Sequence, residues 1–228
     1  MSDHLTIVYP KNDRLAKGAQ KAIYERFGFL VLSSPDVVQY YESFKENYIY
    51  ACRKLPRETV TSNVPIYPPI KGDVYRVVRS RNGDVPATTE KIGNYGITTE
   101  DVIRNYRLER PDSSLVIDSY LNFGYCRVSI LGEPSTTTAV VGKFKRPRVA
   151  TKPSYKNLAI EYFKKQKIDA EIVTDWSGEL EALPNLGLAD FIVDSVETGR
   201  SKEENGLIEY DKIMDSRAIW IWIWANPY

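Results

Sequence analysis

Between Gly187 and Leu207 the chain reads GLADFIVDSVETGRSKEENGL, and no other stretch constrains the architecture as much. Phe191, Ile192 and Val193 are an uninterrupted apolar run, the pattern of a buried strand. An acidic turn follows, then a small-residue loop, Thr198-Gly199-Arg200-Ser201, and then a helix start in which Ser201 and Glu204 have capping-box spacing. Gly199 has no Cβ, so backbone N–H groups can approach an oxyanion closely there. The dipole of the following helix favours negative charge at the same point. The loop is therefore expected to hold a phosphate. Asp194 and Glu197 stand just ahead of it, where carboxylates can hold sugar hydroxyls or a metal ion. A capped helix after a strand, with solvated acids, satisfies the same spacing, so the motif by itself leaves both readings open.

Composition narrows the chemistry. Lys plus Arg total 31 against 30 Asp plus Glu, a net charge of +1, which argues for neither a nucleic-acid surface nor an anionic-membrane surface. The single histidine, His4, lies at the terminus. A Ser-His-Asp or Cys-His site, or a multi-histidine zinc centre, would each need a better-placed one. Two cysteines, Cys52 and Cys126, and an opening MSDHLTIVYP without a signal-peptide pattern fit a cytoplasmic location. The longest apolar run, Ala218 to Ala225, is far short of a membrane span. A chain of 228 residues needs no disulfide or structural metal to be stable, and suits one large domain or two small lobes.

Along the chain, strands and helices alternate. Leu5 to Tyr9 read as a first strand, residues 10–15 as a turn, and Ala16 to Phe27 as a helix stopped by Gly28. A strand, a phosphate-competent turn and a helix at the start imply an open α/β sheet with its ligand at the strand ends. Near-helical spacing of Val37, Tyr41, Phe44 and Tyr48 predicts a helix over 37–50 within a tyrosine- and proline-rich segment, 33–73, read as an insertion. It is expected to serve packing or an oligomer contact, or to shape an acceptor pocket. Asp73 to Ser80 is predicted as a strand, with Asp84 as the N-cap of a short helix. Arg148 to Lys152 and Ala170 to Val173 read as further strands flanking an amphipathic helix marked by Leu158, Tyr162 and Phe163. Ile219, Ile221 and Ile223 alternate with Trp220, Trp222 and Trp224. That strand is apolar on both faces, as in a central strand or a subunit contact.

Several of these stretches, in this order, resemble the ATP phosphoribosyltransferases, the family that opens histidine biosynthesis. Gly187 to Leu207 is similar to its phosphoribosyl-pyrophosphate (PRPP) loop. Leu121-Asn122-Phe123-Gly124-Tyr125-Cys126-Arg127 resembles its Phe-Gly-x-Cys-Arg strand entry. Ser177-Gly178-Glu179-Leu180-Glu181 resembles its Gly-Ser-Val-Glu loop, and Lys11 to Leu15 its opening lysine-small-small-Arg-Leu turn. The family's Gly-Ile-x-Gly-x-Asp loop is matched by Gly96 to Asp101, with Thr99 in place of the second glycine.

The resemblance implies a two-lobed α/β fold of the type II periplasmic-binding-protein kind, with mixed sheets and a cleft between the lobes. Residues 1–104, with 203–228 returning, would form the first lobe and 105–202 the second. Thr198, Gly199, Arg200 and Ser201 would take the 5′-phosphate. Asp194 and Glu197 would hold the ribose, while Glu181 and Asp190 would serve the ribose or metal side. Lys11 and Arg14 would reach the pyrophosphate, and Mg²⁺ would be held through Asp194 and Glu181. The implied reaction is phosphoribosyl transfer from PRPP to N1 of ATP with release of pyrophosphate. An end at Tyr228 suits the short form of the family, which self-associates and depends on a regulatory subunit related to aminoacyl-tRNA synthetases. Asn12-Asp13, Thr99 and the 33–73 segment motivate an alternative acceptor, another nitrogen heterocycle. A two-lobed binding module without catalysis is a third reading.

Overall fold

The computed structural model describes residues 4–10, 13–27, 48–50, 74–134, 146–176 and 179–223. These divide into two compact units. The first is drawn from Met1–Thr98, Ser114–Phe123 and Ala218–Tyr228, the second from Thr99–Ser113 and Gly124–Arg217.

In the first unit the alternating run at the start is strand β1 (His4–Pro10), and the helical period after it is α1 (Asp13–Phe27). Tyr48–Tyr50 forms a short strand, β2, where near-helical spacing predicts the end of a helix. The tyrosine–isoleucine–tyrosine run suits a pleated surface, and antiparallel pairing with β3 (Val74–Ser80) satisfies its backbone. The rest of that expected helix lies outside the described residues. Helix α2 (Val85–Ile92), strand β4 (Tyr95–Thr99), strand β5 (Leu115–Tyr120) and strand β11 (Ala218–Ile223) complete the unit. Asp84 stands at the N-cap of α2 but makes no capping bond through its side chain, because a 3-10 turn at Asn82–Asp84 already leads the chain in.

The sheet has six strands in the order β2-β3-β1-β4-β11-β5. β1 runs parallel to both β3 and β4. Ala16, Ala19 and Ala22 of α1 are small enough to bring the helix down onto Ile7, Tyr9, Ile97 and Trp220. Gly18 takes this further, since a Cβ there would fall 2.3 Å from the Phe123 ring. At the end of α1, Arg26 makes a two-pronged ion pair with Asp118 at 2.6 and 3.2 Å and lies over the rings of Tyr95 and Trp220. β11 lies between β4 and β5, and its faces are apolar because helices cover them: Trp220 packs in the cluster under α1, α2 also packs on the strand, and Trp220 and Ile221 are each buried.

The second unit holds helix α3 (Glu100–Glu109), β6 (Cys126–Gly132), β7 (Arg148–Thr151), helix α4 (Lys156–Lys165) and β8 (Glu171–Val173). It continues with β9 (Phe191–Val196), a short helix α5 (Arg200–Glu204) and β10 (Ile208–Ser216). Its five strands lie in the order β10-β6-β9-β7-β8. Residues 99–104 and 203–217, expected with the first lobe, belong here because α3 packs on α4 and β10 pairs along β6. Residues 114–123, expected with the second lobe, join the first unit through the pairing of β5 with β11.

Central strand β9 is buried on both faces. Phe191 and Val193 meet Leu158 and Phe163 of α4, while Ile192 and Val196 meet Leu180, Leu183 and Leu207. Helix α4 is capped from outside itself. The buried Asn105 of α3 accepts the N–H groups of Asn157 and Leu158, at 2.8 and 3.3 Å, on its amide oxygen. Asn105→Ala strands these donors and is expected to cost about 1–3 kcal/mol. For a chain of this size that lowers Tm by about 2–4 °C per kcal/mol. A thermal melt unchanged by the substitution would contradict the capping role.

Candidate functional site

The site lies where β7 and β9 end. The two strands are parallel, with Thr151 opposite Val193, so Lys152 and Asp194 fall on the next rung at the carboxyl edge where open α/β sheets bind ligands. Lys152 Nζ donates to both carboxylate oxygens of Asp194, at 2.9 Å to Oδ1 and 2.8 Å to Oδ2. The N–H of Ser195 donates to Oδ1 at 2.7 Å. Asp194 is only 4% exposed and projects from the β9 face that carries Ile192 and Val196. A core-facing position that pattern would give to an apolar residue thus carries a charge, which requires the partner it has.

Tyr155, in the 3-10 turn Pro153–Tyr155, lies against Ser195 on the opposite face. Burial pushes its phenol well above the ordinary range, and the charges of Asp101 and Asp194 add to this, so it stays neutral. Asp101 is a second buried carboxylate. It accepts the Ser216 hydroxyl at 2.6 Å, and its own N–H donates back to that hydroxyl at 3.1 Å.

Beyond β9 the chain passes through exposed Glu197 and Thr198 to Gly199, which is buried and adopts φ +82°, the left-handed region. Gly199, and not Ser201, is the N-cap of α5, so the expected capping box does not form. Ser201 sits inside the helix, and its hydroxyl donates to Glu181 Oε1 at 2.7 Å. Glu181 is placed by a 3-10 turn, Leu180–Ala182, whose Leu180 is anchored in the core beside Ile192. Thr198 Oγ1 accepts the N–H of Arg200 at 3.4 Å. The Arg200 side chain turns along the helix to Glu204, at 2.7 Å, so its contribution to the loop is its backbone.

The structure therefore brings together Glu181, Ser201 and the 197–200 loop, with Asp194 three residues upstream. It does not bring Asp190. That residue precedes β9, about 20 Å of strand away from the loop at a rise of about 3.3 Å per residue. Its carboxylate accepts the N–H of Arg148 at 2.7 Å, tying the starts of β7 and β9. Lys11 lies outside the described residues, and Arg14 is in the first turn of α1 in the other unit. Lys152, expected only as the end of a strand, holds Asp194 through both of its carboxylate oxygens.

The fit to a protein-held Mg²⁺ is poor. Asp194 gives both oxygens to Lys152, and Glu181 receives Ser201. Among the described residues no three His, Cys, Asp or Glu side chains group closely enough to share an ion.

The family model described as ATP phosphoribosyltransferase matches residues 81–225, which is more than half of the chain. The chain belongs to the ATP phosphoribosyltransferase family. A relative of that name from Aquifex aeolicus is 34% identical over 144 residues, covering 63% of this chain and 62% of its own length. One from Bacillus subtilis is 37% identical over 153 residues, covering 67% and 65%. The chain thus spans under two thirds of the length of these relatives. Among solved structures, an ATP phosphoribosyltransferase complex from Thermotoga maritima matches with a TM-score of 0.65 at 20% identity, over 96% of this chain and 87% of that one. The periplasmic aliphatic sulphonate binding protein of Escherichia coli matches with a TM-score of 0.54 at 12% identity, over 98% and 66%. Both show the fold, two mixed-sheet α/β units of the periplasmic-binding-protein kind. The family match includes Lys152, Glu181, Asp194 and the Gly199 loop, and begins after Lys11 and Arg14. Among the described residues no helix is long and apolar enough to cross a membrane.

Proposed function

We propose that this member of the ATP phosphoribosyltransferase family transfers the 5-phosphoribosyl group of PRPP to N1 of ATP and releases pyrophosphate, the opening step of histidine biosynthesis. The observation that carries the reading is the left-handed Gly199 at the carboxyl end of β9, in the stretch matched to the family and beside Glu181 and Asp194. Backbone N–H groups of residues 199–201 would bind the 5′-phosphate. Asp194 would accept ribose hydroxyls, with Glu181 and Glu197 on the same side.

In the reaction the bond from ribose C1 to the pyrophosphate oxygen breaks, its electron pair leaves with pyrophosphate, and the N1 lone pair of adenine forms the new bond to C1. The transition state carries positive charge on the ribose, so a fixed carboxylate nearby lowers its energy. The attacking nitrogen already has its lone pair, so holding the partners in line matters more than a strong base. Mg²⁺ keeps most of its waters and binds well to phosphate oxygens. It is assigned here to PRPP itself, as part of the substrate. Lys11 and Arg14 are assigned to the pyrophosphate, and a homo-oligomer with a synthetase-like regulatory subunit to the working enzyme, on family resemblance.

Mg²⁺–PRPP at 100 times its Kd is expected to add about 2.7 kcal/mol of stability, about 5–10 °C in Tm. Pyrophosphate release should then follow addition of ATP. A melt unmoved by millimolar Mg²⁺–PRPP would refute the reading. Thr99, buried at the N-cap of α3 where the family resemblance places a glycine, favours a different acceptor as the second reading. Turnover of PRPP with another heterocycle and not with ATP would establish it.

A further inference from the structure

Lys152 lies 42 residues before its partner and outside every motif that marks the loop. We infer that it is a positioning residue of the phosphoribosyl site. It fixes the Asp194 carboxylate in orientation, and so sets how well PRPP is held. This rests on the phosphoribosyltransferase reading above.

The donors around Asp194 determine what it can still accept. A carboxylate offers about four lone-pair sites, two on each oxygen. Oδ1 takes both Lys152 Nζ and the N–H of Ser195, whereas Oδ2 takes Lys152 alone. The remaining capacity is on Oδ2, so the pair presents one oriented acceptor to a ligand hydroxyl at the carboxyl edge of the sheet. Without the ammonium, a carboxylate whose side chain is 5% exposed loses the partner that holds it and turns toward water. The oriented acceptor is then lost.

The pair is also unlike a sealed structural bridge. The Lys152 side chain is 45% exposed against 5% for Asp194, so the ammonium stands at the water boundary and the carboxylate behind it. Other cations of this unit are engaged elsewhere: Arg127 with Glu209, Arg200 with Glu204 and Lys202 beside Glu203. Among the described residues Lys152 is the cation that Asp194 has. The register explains why this lysine serves. It directly follows Thr151, whose hydroxyl donates to the carbonyl of Val193 at 2.7 Å and locks the two strand ends side by side.

The test is steady-state kinetics of pyrophosphate release and the PRPP-induced melt shift, on Lys152→Met, Lys152→Arg, Asp194→Asn and the Lys152→Met/Asp194→Asn pair. Lys152→Met is expected to raise KM for PRPP about tenfold or more, with a smaller change in kcat and none in KM for the acceptor. Lys152→Arg should restore KM for PRPP to within about threefold, since a guanidinium also bridges a carboxylate. In the Asp194→Asn background the same lysine change should add less than about twofold, because the group it acts through is already altered. If Lys152→Met fails to fold, Lys152→Gln takes its place in the cycle. A wild-type KM for PRPP in the lysine variant, or an undiminished loss in the asparagine background, overturns the inference while leaving the enzyme reading intact. A wild-type protein that neither binds nor turns over PRPP overturns both.

Discussion

Gly199→Val is expected to lower kcat/KM for PRPP about 10²–10³-fold, the size of effect seen when one preorganised backbone donor is lost, here from the group that anchors PRPP in line for transfer. The backbone at this position has φ +82°, which a side chain adopts at a cost of about 1–2 kcal/mol and a β-branched one least readily. The valine therefore presses the loop toward negative φ and turns its N–H groups off the phosphate position. Collision is the smaller effect. An added Cβ would come 3.2 Å from Lys202 Cε and 3.6 Å from Glu203 Oε1, both ends of movable side chains. The protein should stay folded, because the loop joins β9 and α5 at the surface and the clusters on both faces of β9 are untouched. Gly199→Ala carries the same backbone penalty without the branched carbons and should fall between wild type and valine. Ser114→Ala, in the first unit, should change little, since the contact there runs from its backbone N–H to Glu90. Retention of kcat/KM within a few-fold in the valine variant would show that this loop does not hold the 5′-phosphate.

What the sequence made legible follows from the range over which each feature is determined. β9, the glycine loop and a helix after it are local patterns and follow in the expected order, although the strand runs on through Asp194 to Val196 where an acidic turn is expected. The two-faced apolar strand at residues 218–223 is an interior strand for the reason its composition implies. Features that depend on register were out of reach. Nothing near Lys152 says that it lands opposite Asp194, because that follows from the parallel pairing of β7 with β9. Asn105 reads as an ordinary polar residue on a helix, and only the packing of α3 on α4 turns it into a cap. Asp190 shows the converse error. It is close to the loop in sequence, but a strand intervenes, and its carboxylate serves the far end of the sheet. The Ser201–Glu204 spacing failed because a left-handed glycine could begin the helix two residues earlier.

Asp194→Asn is expected to lose a comparable 10²–10³-fold in kcat/KM through a different contact, which makes it the complement of the glycine variant. The amide is nearly isosteric and keeps one carbonyl oxygen, so shape and packing on the Ile192–Val196 face are preserved. What disappears is the negative charge beside a ribose that becomes cationic as its bond to pyrophosphate breaks, together with one of the two oxygens Lys152 bridges. The folded state should tolerate this. The Lys152 side chain is 45% exposed and can turn its ammonium to water, so no stranded buried charge remains. A Tm within a few degrees of wild type is expected. The division of labour can be read with ribose 5-phosphate and inorganic phosphate as competitors of PRPP. Gly199→Val should weaken both, because both need the loop, whereas Asp194→Asn should weaken only the sugar phosphate. If Asp194→Asn also lost affinity for inorganic phosphate, the carboxylate would be acting through the loop's structure. If it kept wild-type kcat/KM, the ribose would have to lie elsewhere, and the pairing of Lys152 with Asp194 would be a structural bridge.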